Sequence, residues 1–78
     1  MPRYFYDLES NGQIVLDKEG LDLAGIDAAR DEAIDALTTM FPELVADTDR
    51  RALAANVRGE TGSLLFKVFL TIEVIRAH

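Results

Sequence analysis

The chain has 78 residues, with 14 acidic against 8 basic side chains, a net charge of −6 and 49% hydrophobic residues. It has no cysteine and one histidine, His78, so disulfides, thiolate zinc sites and histidine-rich metal sites are excluded. An acidic chain repels phosphate backbones unless its few cations cluster, so no nucleic-acid partner is expected.

One domain, residues 1–78, is predicted. At this length only about 60% of the unfolded chain's surface can be buried. Small domains often add a disulfide, a metal or a second subunit, and here the subunit is the option left open. No run approaches the roughly 18 apolar residues of a membrane span, and MPRYFYD lacks the apolar stretch of a signal peptide. The expectation is a soluble cytoplasmic protein with no cofactor.

Arg3 to Leu8 reads as a strand, with Tyr4, Tyr6 and Leu8 on one face and Arg3, Phe5 and Asp7 on the other. Asn11-Gly12 is a hairpin turn, because both residues tolerate φ > 0. Gln13 to Leu16 returns, short and at an edge. A second turn, Asp17 to Gly20, leads to Leu21-Asp22-Leu23, which is either further strand or covering loop. Gly25 to Met40 is a helix: Ile26, Ala29, Ala33, Leu37, Met40 and Leu44 recur at three- and four-residue steps. Gly25 or Asp27 is its N-cap. Pro42 predicts a kink or a new turn, with Pro42 to Ala46 helical and packed. Asp47 to Arg51 is an exit loop. Ala52 to Arg58 alternates as a strand of poor formers that needs tertiary pairing.

Gly59 to Gly62 turns into the longest apolar run, Ser63 to Arg76. Its even positions from Leu64 to Val74 are uniformly apolar; its odd positions mix Leu65, Phe69 and Ile75 with Lys67, Thr71 and Glu73. A period of two over this length is a strand. Together these elements predict an α+β fold, ββαββ: one antiparallel sheet of about four strands with a single helix on one face. The last strand is expected inside the sheet, with Phe66, Val68, Leu70 and Ile72 packed against Ile26, Ala33, Leu37 and Met40. The segments Arg3 to Leu8 and Ala52 to Arg58 are shorter than it, so Thr71 to Arg76 is expected to lack a partner.

MPRYFYD resembles the MPRYFFD start of a small bacterial family of uncharacterised domains. The family continues with D-x-x-G, here Asp17 to Gly20, and L-P-D-L-E-A-A-R-x-E-A, here LAGIDAARDEA from Leu23 to Ala33. It then carries V-x-D-E-x-G, here VRGETG from Val57 to Gly62. Its helix-capping aspartate is replaced by Gly25 and its turn aspartate by Gly59. The resemblance supports the fold and brings no activity with it.

The candidate chemistry is thin. Asp7-x-Glu9-x-Asn11-Gly12 imitates half of a calcium loop, but Lys18 stands where a bidentate glutamate belongs, and a hairpin turn explains the same residues. Asp17, Glu19 and Asp22 could gather around Gly20, yet paired carboxylates do acid–base work only in a cleft that perturbs them. Arg50, Arg51 and Arg58 form the one basic cluster, without a nucleic-acid motif beside it. Tyr4 and Tyr6 read as core or interface rather than as a base-stacking platform. No catalytic, cofactor or metal residues are assigned, and a non-catalytic interaction or self-association module is expected. An antitoxin-like or small-ligand regulatory domain is the alternative. Phe5, Leu65, Phe69 and Ile75 are the candidate interaction face, with a homodimer or another protein as the partner.

Overall fold

The structure, a computed structural model, describes residues 1–77; His78 lies outside them. β1 (Arg3–Ser10) and β2 (Gln13–Val15) form the first hairpin, with Ser10 opposite Gln13. Asn11 at φ 54° and Gly12 at φ 80° give the left-handed pair whose twist matches a two-residue hairpin. The chain then crosses back to the start of β1 along the same edge. There β3 (Leu21–Asp22) pairs with it, Leu21 opposite Tyr4 and Asp22 opposite Arg3. Of the two readings for this segment, strand is the correct one.

α1 (Ile26–Leu44) follows directly from Gly25, its N-cap. The Gly25 carbonyl accepts the Ala29 N–H, but no side chain caps the first turn. Ala29, Ala33 and Leu37, at four-residue spacing, are fully buried, and Phe41 and Leu44 extend the same stripe half-buried. Ile26 was expected in this stripe and is instead 51% exposed, because it starts the first turn at the end of the layer. Pro42 sits in the last turn and does not end the helix, since the Val45 N–H reaches the Phe41 carbonyl beyond it. Near a C-terminus the missing proline donor costs one bond, the one that the Thr38 carbonyl would accept. The helix stops at Leu44, short of Ala46.

β4 (Arg50–Arg58) and β5 (Leu64–Glu73) complete an antiparallel sheet of order β2-β1-β4-β5, with β3 also on β1. The fold is α+β as expected, with five strands, β3 being only two residues long, and one helix on one face. The order corrects the expectation for the last strand: β5 is at the edge and β4 is inside. Leu53, Ala55 and Val57 of β4 are buried, whereas Phe66, Val68, Leu70 and Ile72 of β5 are only half-buried. Apolar content misled here because it measures what a strand can bury, not how many neighbours it has. β4 also begins two residues before Ala52 and so stays beside β5 through the pair Arg50–Glu73. The Val74 N–H then donates to the Asp49 carbonyl. Thr71 to Glu73 are therefore paired on their inner side, against expectation, and among the described residues no strand pairs with the outer edge of β5.

This order sets the expected losses. Leu53→Ala should lower stability by about 3 kcal/mol and Leu70→Ala by less than half of that, read as urea midpoints. Equal losses would contradict the edge position of β5.

At Gly25 an added Cβ would meet no atom within 4 Å, and its φ of 176° is ordinary extended backbone. Gly25→Asp should supply the missing cap and raise stability by about 0.5 kcal/mol, seen as a melting point higher by about 2–4 °C.

Candidate functional site

The helix covers one face of the sheet, and the other face is ionic. Along β4 the residues that point there are Ala52, Ala54, Asn56 and Arg58, and the small central ones are covered by longer neighbours. Asn56 lies between Asp7 and Lys67, and Ala54 between Glu9 and Phe69. Glu9 leans across to accept the Asn56 amide and to pair with Lys67 at 3.2 Å. Those two hydrogen bonds, Asn56 first, hold the Glu9 carboxyl below its ordinary value. Ala54 and Asn56 are consequently 4% and 8% exposed although no element lies over them.

At one end of this face Asp7, 4% exposed, meets Arg58. The guanidinium donates from Nε at 2.6 Å and from Nη2 at 3.1 Å, and Nη2 also donates to the Asp17 carbonyl. The Asp17 N–H donates to Asp7 Oδ1 at 3.0 Å. The Asp17 carboxylate accepts from the backbone N–H groups of Tyr6, Glu19 and Gly20. Gly20, at φ 74°, closes the loop against β1; a Cβ there would lie 2.8 Å from Arg3 Cγ and 2.9 Å from Phe5 Cε2. The Arg58 guanidinium stacks 5.1 Å from the centre of the Phe5 ring.

The chemistry of this cluster is that of a lock. The bond from Arg58 is the main force holding the Asp7 carboxyl below its ordinary value. Burial pushes the Asp17 carboxyl up, but the three backbone donors outweigh it and leave the group low. Neither is poised to exchange a proton near neutrality. The carboxylates of Asp22 and Glu19 do not join that of Asp17: Asp22 pairs with Arg3, and Glu19 contributes backbone alone, its N–H to Asp17 and its carbonyl to Arg3 Nη1. No cluster of metal-ligating side chains occurs among the described residues.

Other candidates are dispersed. Arg50 pairs with Glu73 at 3.1 Å at the far end of β4 from Arg58, and Arg51 lies on the helix face, so the three arginines form no patch. Tyr4 is buried under the helix, and the Tyr6 hydroxyl donates to the Ala29 carbonyl; burial, then the charges of nearby groups, pushes Tyr6 up to about 12. Of the candidate interaction residues, Phe5 is half-buried beneath Arg58. Leu65 is 45% exposed, Phe69 66% and Ile75 84%. Leu65 is the extra residue of a bulge, since Phe66 faces Val57 and Leu64 faces Arg58.

The sequence profile of a domain of unknown function, DUF6894, matches residues 3–71. The chain belongs to this family. No curated protein and no solved structure gives a significant match. Three segments that carry the sequence resemblance meet in the lock just described. The first strand supplies Arg3, Phe5 and Asp7, the D-x-x-G turn supplies Asp17 and Gly20, and VRGETG supplies Arg58 and Glu60. Glu60 accepts the Arg3 N–H. In this DUF6894 chain those residues fix a loop to a sheet. Sequence reasoning missed the Asp7–Arg58 pair because the partners are 51 positions apart. The available signal was opposite charge on the outward faces of two strands, and it needed the strand order to be used.

Both lock carboxyls titrate below their ordinary value of 3.8, so the unfolded chain binds more protons than the folded one in that range. Their contribution is complete above about pH 5 and is lost as the pH falls through 3.8 and below. Arg58→Met should flatten this acid loss, measured as urea midpoints from pH 7 to pH 3. A parallel pair of curves would show that the Asp7–Arg58 bond carries none of it.

Proposed function

We propose that this chain is a non-catalytic cytoplasmic module that binds protein by accepting a strand at the outer edge of β5. The observation that carries the reading is the edge itself: a strand of ten residues with neighbours on one side only. The Val74 N–H points to β4, and alternation in an antiparallel ladder then turns the backbone groups of Lys67, Phe69, Thr71 and Glu73 outward. Beyond the bulge at Leu65, β5 has no proline and no further register break. Long, regular edges of this kind accept added strands unless charge or distortion prevents it. Exposed Phe69 and Ile75 flank the edge, and Leu65 stands at its near end. The absence of cysteine and the acidic charge are compatible with a cytoplasmic setting. The two inner carboxylates, Asp7 and Asp17, are committed to the lock, and Asp22 is paired with Arg3.

Amide exchange tests the reading. In the isolated chain the N–H groups of Lys67, Phe69, Thr71 and Glu73 should exchange freely. They should become protected at high concentration or in lysate of the native host. Thr71→Pro removes an outward donor without cutting the inner ladder, so it should abolish that protection while circular dichroism stays unchanged. Free exchange under every condition would overturn the proposal.

A further inference from the structure

We infer that the strand added to β5 is the β5 of a second copy, antiparallel about a two-fold axis at Leu70. The inference rests on the strand-addition reading and names its partner. The outward backbone groups belong to odd-numbered residues, so a symmetric ladder must pair odd with odd, and its axis must pass a residue position. With the axis at Leu70, Lys67 faces Glu73 of the second copy, Phe69 faces Thr71 and Leu65 faces Ile75. On the helix face Val68 meets Ile72, Phe66 meets Val74 and Leu70 meets itself. Both charged residues of β5, Lys67 and Glu73, then oppose their complements, and the two Phe69 rings become diagonal neighbours across the axis.

Neighbouring registers lose this match. An axis at Phe69 sets Lys67 against Thr71 and Leu65 against Glu73. An axis at Thr71 sets Phe69 against Glu73 and Lys67 against Ile75. An axis at Val68 sets Lys67 against Phe69 and leaves Glu73 facing Ser63. The Leu70 register also extends pairs already present within each copy. Lys67 holds Glu9 at 3.2 Å and Glu73 holds Arg50 at 3.1 Å. Charges therefore alternate across the joint as Glu9, Lys67, then Glu73 and Arg50 of the second copy.

A second feature lies at the same point. A notch of about 70 Å³ between α1 and β5 is lined by Ile34, Leu37, Thr38, Val68, Phe69 and Leu70. The axis stands perpendicular to the sheet, so both helices fall on one face and the two notches become neighbours. Leu70 and Ile72 of the second copy border the notch of the first.

Sedimentation of wild type, Lys67→Glu and Glu73→Lys at high micromolar concentration tests the register, with circular dichroism to verify each fold. The wild type should dimerise. Each variant alone sets like charges opposite each other at both ends of the ladder and should associate about tenfold more weakly. An equimolar mixture restores opposite charges at both ends and should recover the wild-type constant. Two misfolded variants could not produce that recovery. A dimer indifferent to both charge reversals but lost in Thr71→Pro would overturn the Leu70 register and leave strand addition standing. A monomeric wild type would overturn the inference; protection of the β5 amides in host lysate would then separate a foreign partner from failure of the strand-addition reading itself.

Discussion

Short side chains along β4 set the spacing of the layers around it. On one face Ala55 joins Leu53 and Val57 under the helix, which approaches with its own alanines, Ala29 and Ala33. On the other face Ala54 and Asn56 leave room for Glu9 and Lys67 to meet above them. A larger residue at 54 or 56 would lift the ionic bridge; a larger one at 55 would lift the helix. The strand with the weakest intrinsic preference thus holds the centre because it has neighbours on both sides and both faces.

Two kinds of cohesion divide the sheet. The helix side is held by apolar burial, which is non-directional and tolerates half-buried residues along β5. The open side is held by directed bonds between charged groups, with Asp7, Arg58 and the Asp17 loop at one end. Directed bonds fix geometry even where they add modest stability. Here they fix the path from the first hairpin to the helix. The loop from Asp17 to Gly20 must pass close enough to Arg3 and Phe5 that only glycine fits at its end.

Most of the fold was legible because its signals are local. The Asn11-Gly12 turn, the period of two in the last strand and the four-residue step of Ala29, Ala33 and Leu37 each depend on neighbours in the chain. What the sequence did not disclose was order. Leu64 to Val74 looked interior because it is apolar, and Arg50 and Arg51 looked like loop because they are charged. Both judgements treated composition as position. A charged residue in a ladder can pair across it, as Arg50 does with Glu73. The lock was invisible for the same reason, since Asp7 and Arg58 become neighbours only when β1 and β4 do. Of the four candidate interaction residues, Leu65, Phe69 and Ile75 lie exposed, and Phe5 is half-buried because Arg58 covers it, which nothing local indicates.

The two margins of this sheet are built differently, and the difference limits what assemblies the fold can make. On the β1 side, β3 occupies one end, β2 the other, and between them the Tyr6 N–H is taken by the Asp17 carboxylate. The three-residue β2 and the two-residue β3 are each too short to template a further chain. Among the described residues, the β5 side alone offers a continuous row of backbone groups. A molecule with one receptive margin can join a single neighbour and then has nothing left to extend. Growth into a fibre requires two such margins on every unit, and this chain withholds one.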